Sequence, residues 1–389
     1  MKTRNPFRVG RAARGRYFVG RERELEQVQR ALATPHARLL LYGARQVGKS
    51  SLLVEAQARL RTEGQASVVV SLGSASSVAD MASRVLRAAT AQLRKPWKGI
   101  ANEVASRLGP MATLRADVET GRPTPTLDRG LRAAPVEAQR ESLGAVLDVL
   151  DALATERGEV LGIALDDFEQ ILKFGGADAE WHLRGVVGRH RSTGYVLSGG
   201  TDTLIATMTA QDRAFHGRFE LLPVPTLEAK TLSAWIDTGL KGAGVKSKRG
   251  VGKKIVQMVG PRTGDVARLA GQAYLLAQSG GKLRVGDLPV VMDGIVDDLD
   301  ELLAAEWSLL TGRQQNLLRA LAAGELQPFA ERVRRLYDLR SSAAVARTLE
   351  LLIQKGLVVR SDSGYRLVNP YRRRWIERTA LPDLGNITD

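Results

Sequence analysis

The chain has 389 residues, no cysteine and a formal net charge of +15. Its length suits two or three domains with a buried core, and the lack of cysteine excludes both a disulfide framework and a thiolate metal site. Residues 1–7 are charged but contain no apolar signal segment, and no stretch approaches 18 uninterrupted apolar residues. We therefore predict a soluble, cytoplasmic protein with no membrane partner.

The positive charge lies at the two ends of the chain. Residues 1–38 carry ten Lys/Arg and three acidic residues, residues 307–380 carry fourteen and six, and the segment between them is close to neutral. Such a distribution favours contact with a polyanion, most simply nucleic acid. Biased composition of an Ala- and Arg-rich chain is the alternative explanation.

The first predicted helix follows residues 18–22, which read Phe-Val-Gly-Arg-Glu. Its apolar face contains Leu25, Val28 and Leu32, and it ends before Pro35. Residues 37–42 then form a short apolar segment that is typical of a buried strand.

A phosphate-binding loop follows this strand, because residues 43–50 read Gly-Ala-Arg-Gln-Val-Gly-Lys-Ser. Its glycines let backbone N–H groups approach phosphate oxygens, and the next helix presents its positive end to the same anion. Lys49 is expected to reach the β and γ phosphates, and the Ser50 hydroxyl to bind magnesium. A chance match is the alternative, and the strand–loop–helix context weakens it. The residues assigned to nucleotide binding here are Gly43, Ala44, Arg45, Gln46, Val47, Gly48, Lys49, Ser50 and Ser51.

A second acidic element is predicted to complete the site. The apolar strand 160–165 ends in Asp166 and Asp167, where ligands of a nucleotide-bound metal belong. We assign Asp166 to magnesium and Asp167 to orienting or deprotonating the attacking water. Simple capping of the strand by this acidic pair is the alternative.

The other elements predicted for this part of the chain alternate between strands and helices. The strands are 66–72, 195–198 and 219–222, and the helices are 77–93, 136–155 and 180–190. Residues 109–135 contain glycines and four prolines that break any period, so we predict an irregular insertion there. The alternation predicts a parallel sheet covered on both faces, with the site at the carboxyl ends of its strands.

Two further side chains near strand ends are candidates. Ser198 could sense the γ phosphate or its water, or could serve only the turn at Gly199. Arg218, just before the last strand, is placed for an arginine finger that reaches a neighbouring subunit's nucleotide. A solvated arginine is the alternative.

A helical lid is predicted after the core, because residues 227–279 have only helical patterns. In this lid, Arg262 or Arg268 could report the nucleotide state. Helix capping by Asp265 explains the same segment.

The pattern beyond residue 311 predicts a winged helix. Three helices, 311–321, 328–339 and 341–356, precede a hairpin at 357–368. The third helix would enter the major groove, and Arg360 and Arg366 of the hairpin would touch the backbone. A protein-docking or autoinhibitory module is the alternative. Trp375 follows a basic run and is expected to pack onto the domain core.

Taken together, these motifs resemble the archaeal-type AAA ATPases of the STAND and origin-recognition neighbourhood, which also occur in bacteria. The resemblance covers nearly the whole chain and rests on segments 5–7, 18–22, 42–50, 165–169, 197–200 and 365–371. It implies a nucleotide switch that oligomerises, with four residues near the adenine: Phe18, Val19, Gly20 and Arg21.

The chain departs from the family in its acidic pair. The family usually has Asp-Glu where this chain has Asp166-Asp167, which shortens the presumed base by one methylene. A misplacement of roughly 1 Å can cost about 100-fold in rate, so a slow hydrolase or an ATP-gated binder is expected. Glu169 would compensate only if the loop bends it inward. Val266 replaces a proline common in the lid, which weakens the predicted sensing role there.

We thus predict an α/β protein, a P-loop NTPase of AAA type with a parallel sheet core, a helical lid and a C-terminal winged helix. The predicted domains are a basic arm at 1–17, the core at 18–225, the lid at 226–302 and the winged-helix domain at 303–389. The predicted function is an ATPase that uses ATP and Mg2+, forms homo-oligomers and binds DNA through the winged helix and the basic N-terminus. The alternative is a signalling scaffold that recruits an effector protein such as a nuclease or transposase.

Overall fold

The computed structural model describes residues 5–117, 120–200, 208–361 and 363–381. Parts of five predictions lie outside the described residues: positions 1–4 of the basic arm, 118–119 of the insertion, 201–207 of the core, Asp362 of the hairpin turn and 382–389 of the last domain. Two compact units make up the chain, Gly10–Leu227 and Glu228–Asp389 with Met1–Val9. None of the helices in the described ranges has the length and apolarity of a transmembrane span.

The unit Gly10–Leu227 is built on a five-stranded parallel sheet, which confirms the predicted fold class. The strands of this unit, five in the large sheet and two in a separate hairpin, are β1 Arg38–Tyr42, β2 Ser67–Ser71, β3 Ala112–Ala116, β4 Pro123–Leu127, β5 Leu161–Asp166, β6 Thr193–Gly199 and β7 Glu220–Pro223. Its helices are α1 Glu22–Ala33, α2 Lys49–Thr62, α3 Val78–Gln92, α4 Ile100–Leu108, α5 Val136–Arg157 and α6 Gln170–Arg189. The large sheet has the order β2-β5-β6-β1-β7, and all of its pairs are parallel.

The sheet separates two apolar clusters. Leu39 and Leu41 of β1 face the cluster that contains α1 and α2, whereas Leu40 between them faces the cluster that contains α3, α4, α5 and α6. Side chains alternate between the faces of a strand, so a run of three leucines supplies both layers. The result is the three-layer arrangement expected for a parallel sheet.

The prediction of an irregular insertion at 109–135 is wrong in part. Strands β3 and β4 form an antiparallel hairpin there, and the buried Ala112 and Leu127 join the core cluster next to α3 and α5. Pro123 and Pro125 misled the prediction because proline usually ends a strand, but a two-stranded ribbon consists only of edge strands, where proline is tolerated. Helix α4 was also not predicted.

The second unit is mostly helical. Its helices are α7 Ala229–Gly242, α8 Val251–Val259, α9 Thr263–Gly280, α10 Leu288–Asp298, α11 Asp300–Ser308, α12 Gly312–Ala322, α13 Glu331–Leu336, α14 Ser342–Gln354 and α15 Pro370–Thr379. Its strands are β8 Lys246–Ser247, β9 Lys282–Leu283, β10 Val358–Ser361 and β11 Gly364–Leu367.

The winged-helix pattern is confirmed, with α12, α13 and α14 preceding the antiparallel hairpin β10–β11. Thr311 caps α12 in a reciprocal capping box with Gln314, and Ser341 accepts a hydrogen bond from the N–H of Ala344 at the start of α14. Trp375 of α15 is buried as predicted, and its indole N–H donates to Asp300 at 2.7 Å.

The predicted basic arm contributes to both units. Phe7 is buried and packs edge-to-face on Trp235 of α7, with ring centroids 5.1 Å apart. In the other unit, the N–H of Ala13 donates to the Ser51 hydroxyl at 3.0 Å, and the N–H of Gly15 donates to Glu55 at 2.7 Å. The arm boundary at residue 17 stays a prediction, as do the other domain boundaries.

Helix α1 packs so closely on the sheet that one strand position has room only for glycine. A Cβ built on Gly194 of β6 would lie 2.2 Å from the carbonyl oxygen of Ala31 and 2.7 Å from that of Thr34. We expect Gly194→Ala to destabilise the protein by about 1–3 kcal/mol, because an added group in a packed core displaces its neighbours. Thermal unfolding of the full chain measures this change.

The matched control is Gly185→Ala in α6, where nothing lies within 4 Å of the added Cβ. Alanine is favoured over glycine in a helix by about 1 kcal/mol, so this variant should unfold at the same or a higher temperature. Equal unfolding temperatures of the Gly194 variant and the unchanged protein would contradict the packing argument.

Candidate nucleotide-binding site

The predicted phosphate-binding loop connects the end of β1 to the start of α2. The register pairs Leu41 of β1 with Ser198 of β6, and Leu197 of β6 with Leu165 of β5. The carboxyl ends of β1, β6 and β5 therefore share one edge of the sheet. That edge brings together the loop, Ser198 and Asp166.

The loop backbone has the conformation that an anion site requires. Gly48 has φ +107° and Gln46 has φ +65°, and no side chain caps the first turn of α2. Val47 is buried in the apolar cluster beneath the loop, while a Cβ on Gly43 would lie 2.5 Å from the Val224 carbonyl oxygen. The first backbone N–H groups of α2 are thus left for an external acceptor.

Lys49 lies at the centre of the site. Its Nζ donates to the carbonyl oxygens of Gly43 at 2.8 Å and Ala44 at 3.0 Å. Burial lowers the pKa of Lys49, and the carboxylates of Asp166, Glu169 and Asp167 oppose that shift. Among the described residues the hydrogen-bond partners of this half-buried cation are carbonyl groups, which it can exchange for the stronger acceptors of a phosphate.

Asp166 and Ser198 are linked by a hydrogen bond between adjacent strands. The Ser198 hydroxyl donates to Asp166 Oδ1, and both side chains are buried. The backbone oxygen of Ser198 also accepts from the N–H of Phe168 at 2.8 Å. The Ser198 hydroxyl therefore fixes the orientation of the Asp166 carboxylate. Sequence reasoning considered Ser198 as a phosphate sensor or a turn residue and missed this contact.

Asp167 and Glu169 turn to different neighbours. Asp167 has a left-handed backbone with φ +55°, and its carboxylate lies over Gly73, where a Cβ would come within 2.5 Å of Oδ2. Burial and then the charge of Asp166 raise the pKa of Asp167. Glu169 Oε1 accepts from the N–H of Gly200 at 3.3 Å, so this side chain extends to the residue that follows β6.

Arg21 supports the loop from below. Its guanidinium is buried and donates to the carbonyl oxygens of Val47 at 2.9 Å and Pro225 at 2.5 Å. It also pairs with Glu24 at 3.2 Å. Sequence reasoning placed Arg21 near the adenine and missed its contact with the loop. The sequence feature that could have indicated this contact is the position of Arg21 directly before α1, which packs beside the loop.

The remaining residues assigned to the core site surround the loop. Phe18 packs partly buried beside the cluster of α1 and α2, and Val19 and Gly20 are half-buried next to it. Ala44 and Arg45 are exposed on the loop. The Ser51 hydroxyl accepts a hydrogen bond from the Ala13 N–H, which still leaves its O–H and its backbone N–H as donors for a phosphate.

Arg218 does not join this cluster, and Arg268 lies in the second unit. Arg218 precedes β7 and lies at the amino edge of the sheet, where its charge, after burial, lowers the pKa of Arg38. A strand rises about 3.3 Å per residue. The full length of β1 therefore lies between Arg218 and the phosphate-binding loop of the same chain. Arg268 belongs to the second unit, and its guanidinium lies 5.7 Å from the ring centroid of Tyr371.

The capping alternative for the lid segment is wrong in its detail. Arg262 is the N-cap residue of α9, and the helix has no side-chain cap bond. Asp265 instead pairs with Arg262 at 2.5 Å, and burial raises the pKa of Asp265. The charges of Arg262 and Asp265 thus compensate each other within the second unit.

The donor set fits a magnesium ion that arrives with a nucleotide. In the described ranges, no three His, Cys, Asp or Glu side chains form a group that could hold a metal by themselves. Ser50 and Asp166 offer one hydroxyl and one carboxylate at the loop edge. Mg2+ in phosphate-transfer sites takes one or two protein ligands, and its other ligands are phosphate oxygens and water.

Comparisons with known proteins agree with this geometry. The AAA ATPase domain family matches residues 17–197, and a family described as a probable winged helix domain matches residues 303–378. A search of curated proteins gave no significant match.

Solved structures with the same fold cover almost the whole chain. A Walker-type ATPase of Pyrococcus abyssi has a TM-score of 0.63 at 16% identity, over 94% of this chain and 97% of its own. The ORC2 protein of Aeropyrum pernix, solved as ADPNP–ADP complexes, has 0.59 at 16%, over 92% of each chain. The ORC1 protein of Aeropyrum pernix, solved in complex with DNA, has 0.51 at 17%, over 92% and 93%. The chain therefore shares the fold of these structures, with a match to the AAA ATPase domain family over residues 17–197 and a match to a probable winged helix domain after it.

Proposed function

We propose that this protein is an ATP-dependent switch that binds and hydrolyses ATP at residues 43–50 and whose nucleotide state controls self-assembly and attachment to DNA. The observation that carries the proposal is the meeting of Lys49, Asp166 and Ser198 at the carboxyl edge of the sheet, beside the uncapped start of α2. A cytoplasmic location stays a prediction from the sequence.

The residues of the loop suit a triphosphate. Backbone N–H groups at the start of α2 bind phosphate oxygens, and Lys49 spans from the loop towards the β and γ phosphates. Ser50 and Asp166 would hold Mg2+, which neutralises charge on the transferred phosphate. The ADPNP–ADP complexes of the similar Aeropyrum pernix ORC2 protein are the reason for naming an adenine nucleotide.

Self-assembly is proposed from the position of Arg218. This exposed side chain lies at the sheet edge opposite the loop, so it cannot contact a nucleotide in its own chain. A finger role for Arg218 therefore requires a second copy of the chain to supply the nucleotide.

The DNA contact is proposed from uncompensated charge in the winged helix. Arg313, Arg340 and Arg347 line a cavity of about 490 Å3 between the starts of α12 and α14. No ion pair joins any of the three to a carboxylate of the described residues. In contrast, Arg332 and Arg335 of α13, which do not line this cavity, each pair with a glutamate.

This cavity suits the phosphate backbone of a duplex. Three unpaired guanidinium groups and the positive ends of two helices converge on it. Arg360 and Arg366 of the hairpin are also exposed and would add contacts. The Aeropyrum pernix ORC1 protein, which has a similar fold, was solved with DNA.

The ATP site is tested by Lys49→Ala. We expect ATP affinity to fall at least tenfold, because a hydrogen bond to a charged group contributes about 1.5–3 kcal/mol and 1.4 kcal/mol corresponds to tenfold. Turnover should be abolished. Fluorescent-nucleotide titration and phosphate release measure the two effects, with the exposed Lys98→Ala as control. Unchanged ATPase activity in the Lys49 variant would refute the site.

The DNA surface is tested by replacing Arg313, Arg340 and Arg347 together with alanine. Each lost phosphate contact removes about 0.9 from the slope of log affinity against log salt concentration, so three contacts should flatten that slope by about 2 to 3 units. The matched control replaces three ion-paired arginines, Arg332, Arg335 and Arg373.

Both triple variants remove the same charge, so a purely nonspecific field would affect them equally. Equal slopes in the two variants would therefore reject the cavity as the DNA contact. If the unchanged protein has no affinity for random duplex at low salt, DNA is not its partner, and the scaffold that recruits an effector protein remains.

A further inference from the structure

We propose that Glu169, rather than Asp167, is the carboxylate that orients the water for attack on the γ phosphate. This inference rests on the proposed ATP hydrolysis. It assigns the function of the missing glutamate to a residue two positions further along the chain. The two carboxylates lie on opposite sides of β5.

The contact of Glu169 lies on the loop side of β5. In the sheet, β6 separates β5 from β1, and the phosphate-binding loop follows β1. Glu169 Oε1 accepts from the N–H of Gly200, the residue directly after β6. Its carboxylate therefore extends across the end of β6 towards the loop.

Asp167 turns in the opposite direction. Its Oδ2 lies over Gly73, two residues beyond the end of β2, and β2 borders β5 on the side away from β1. The left-handed backbone at Asp167 fixes this direction. A longer side chain at position 167 would keep the same direction, so chain length is not what limits Asp167.

Glu169 also has acceptor capacity to spare. Its Oε2 is buried and has no hydrogen-bond partner among the described residues, whereas buried carboxylate oxygens are almost always paired.

The reaction assigns a defined task to that free oxygen. The water oxygen forms a bond to the γ phosphorus while the bond from phosphorus to the β–γ bridging oxygen breaks, which yields ADP and inorganic phosphate. Glu169 Oε2 accepts a hydrogen bond from the water and receives its proton, which then passes to the released phosphate or to solvent. The Gly200 N–H holds the other carboxylate oxygen in place.

The test compares Glu169→Gln with Asp167→Asn in the full chain. Each amide preserves size but removes the proton acceptor, and general-base catalysis contributes about 100- to 10,000-fold. We expect Glu169→Gln to lower single-turnover hydrolysis at least 100-fold while ATP affinity is retained, so that the protein-bound nucleotide stays ATP. The loss in Asp167→Asn should be at least tenfold smaller. The exposed Glu137→Gln is the unchanged control.

Two further measurements separate the outcomes. Asp167→Glu should not raise turnover, in contrast to the short-base interpretation of the sequence, and a rise would overturn the inference. An equal or greater loss in Asp167→Asn than in Glu169→Gln would also overturn it. If the unchanged protein neither binds nor hydrolyses ATP, the proposed function fails as well. If it hydrolyses ATP but Glu169→Gln does so normally, only the Glu169 assignment fails.

Discussion

The parallel register of three adjacent strands is the constraint on which the site depends. Because β1, β6 and β5 run in the same direction and end at one edge, residues far apart in sequence meet there. The hydrogen bond from Ser198 to Asp166 crosses this edge. It fixes a buried carboxylate that would otherwise be costly to place near the sheet. The loop, the lysine and the acidic strand keep their relative positions only while the register holds.

Sequence reasoning succeeded where local chemistry determines the structure. The apolar runs around Leu40 and Ile163 predicted buried strands, and the glycines and lysine of residues 43–50 predicted the loop between strand and helix. The capping residues Thr311 and Ser341 predicted two helix starts. Each of these signals lies within a few residues, so tertiary contacts were not needed to interpret it.

The contacts that sequence reasoning missed are long-range. Arg21 supports Val47 and Pro225 across 26 and 204 positions, and no local pattern specifies such partners. The hairpin β3–β4 was missed because two prolines outweighed its alternation, although Leu127 anchors it to the core. Side-chain direction was also hidden. That Asp167 and Glu169 face opposite sides of β5 follows from a single left-handed residue, which the letters of the sequence do not reveal.

Charge in the winged helix shows why net charge alone is a weak guide to partners. Arginines of α13 and α15 pair with nearby carboxylates, for example Arg335 with Glu331 and Arg374 with Asp293. Such pairs have little field beyond their immediate surroundings, because the fields of two adjacent opposite charges largely cancel and salt screens the remainder over a Debye length of about 10 Å. The arginines that line the cavity between α12 and α14 have no ion pair within the part of the chain that the structure describes, so an excess spread over 74 residues in the sequence becomes one local surface. A polyanion would respond to that surface and not to the total.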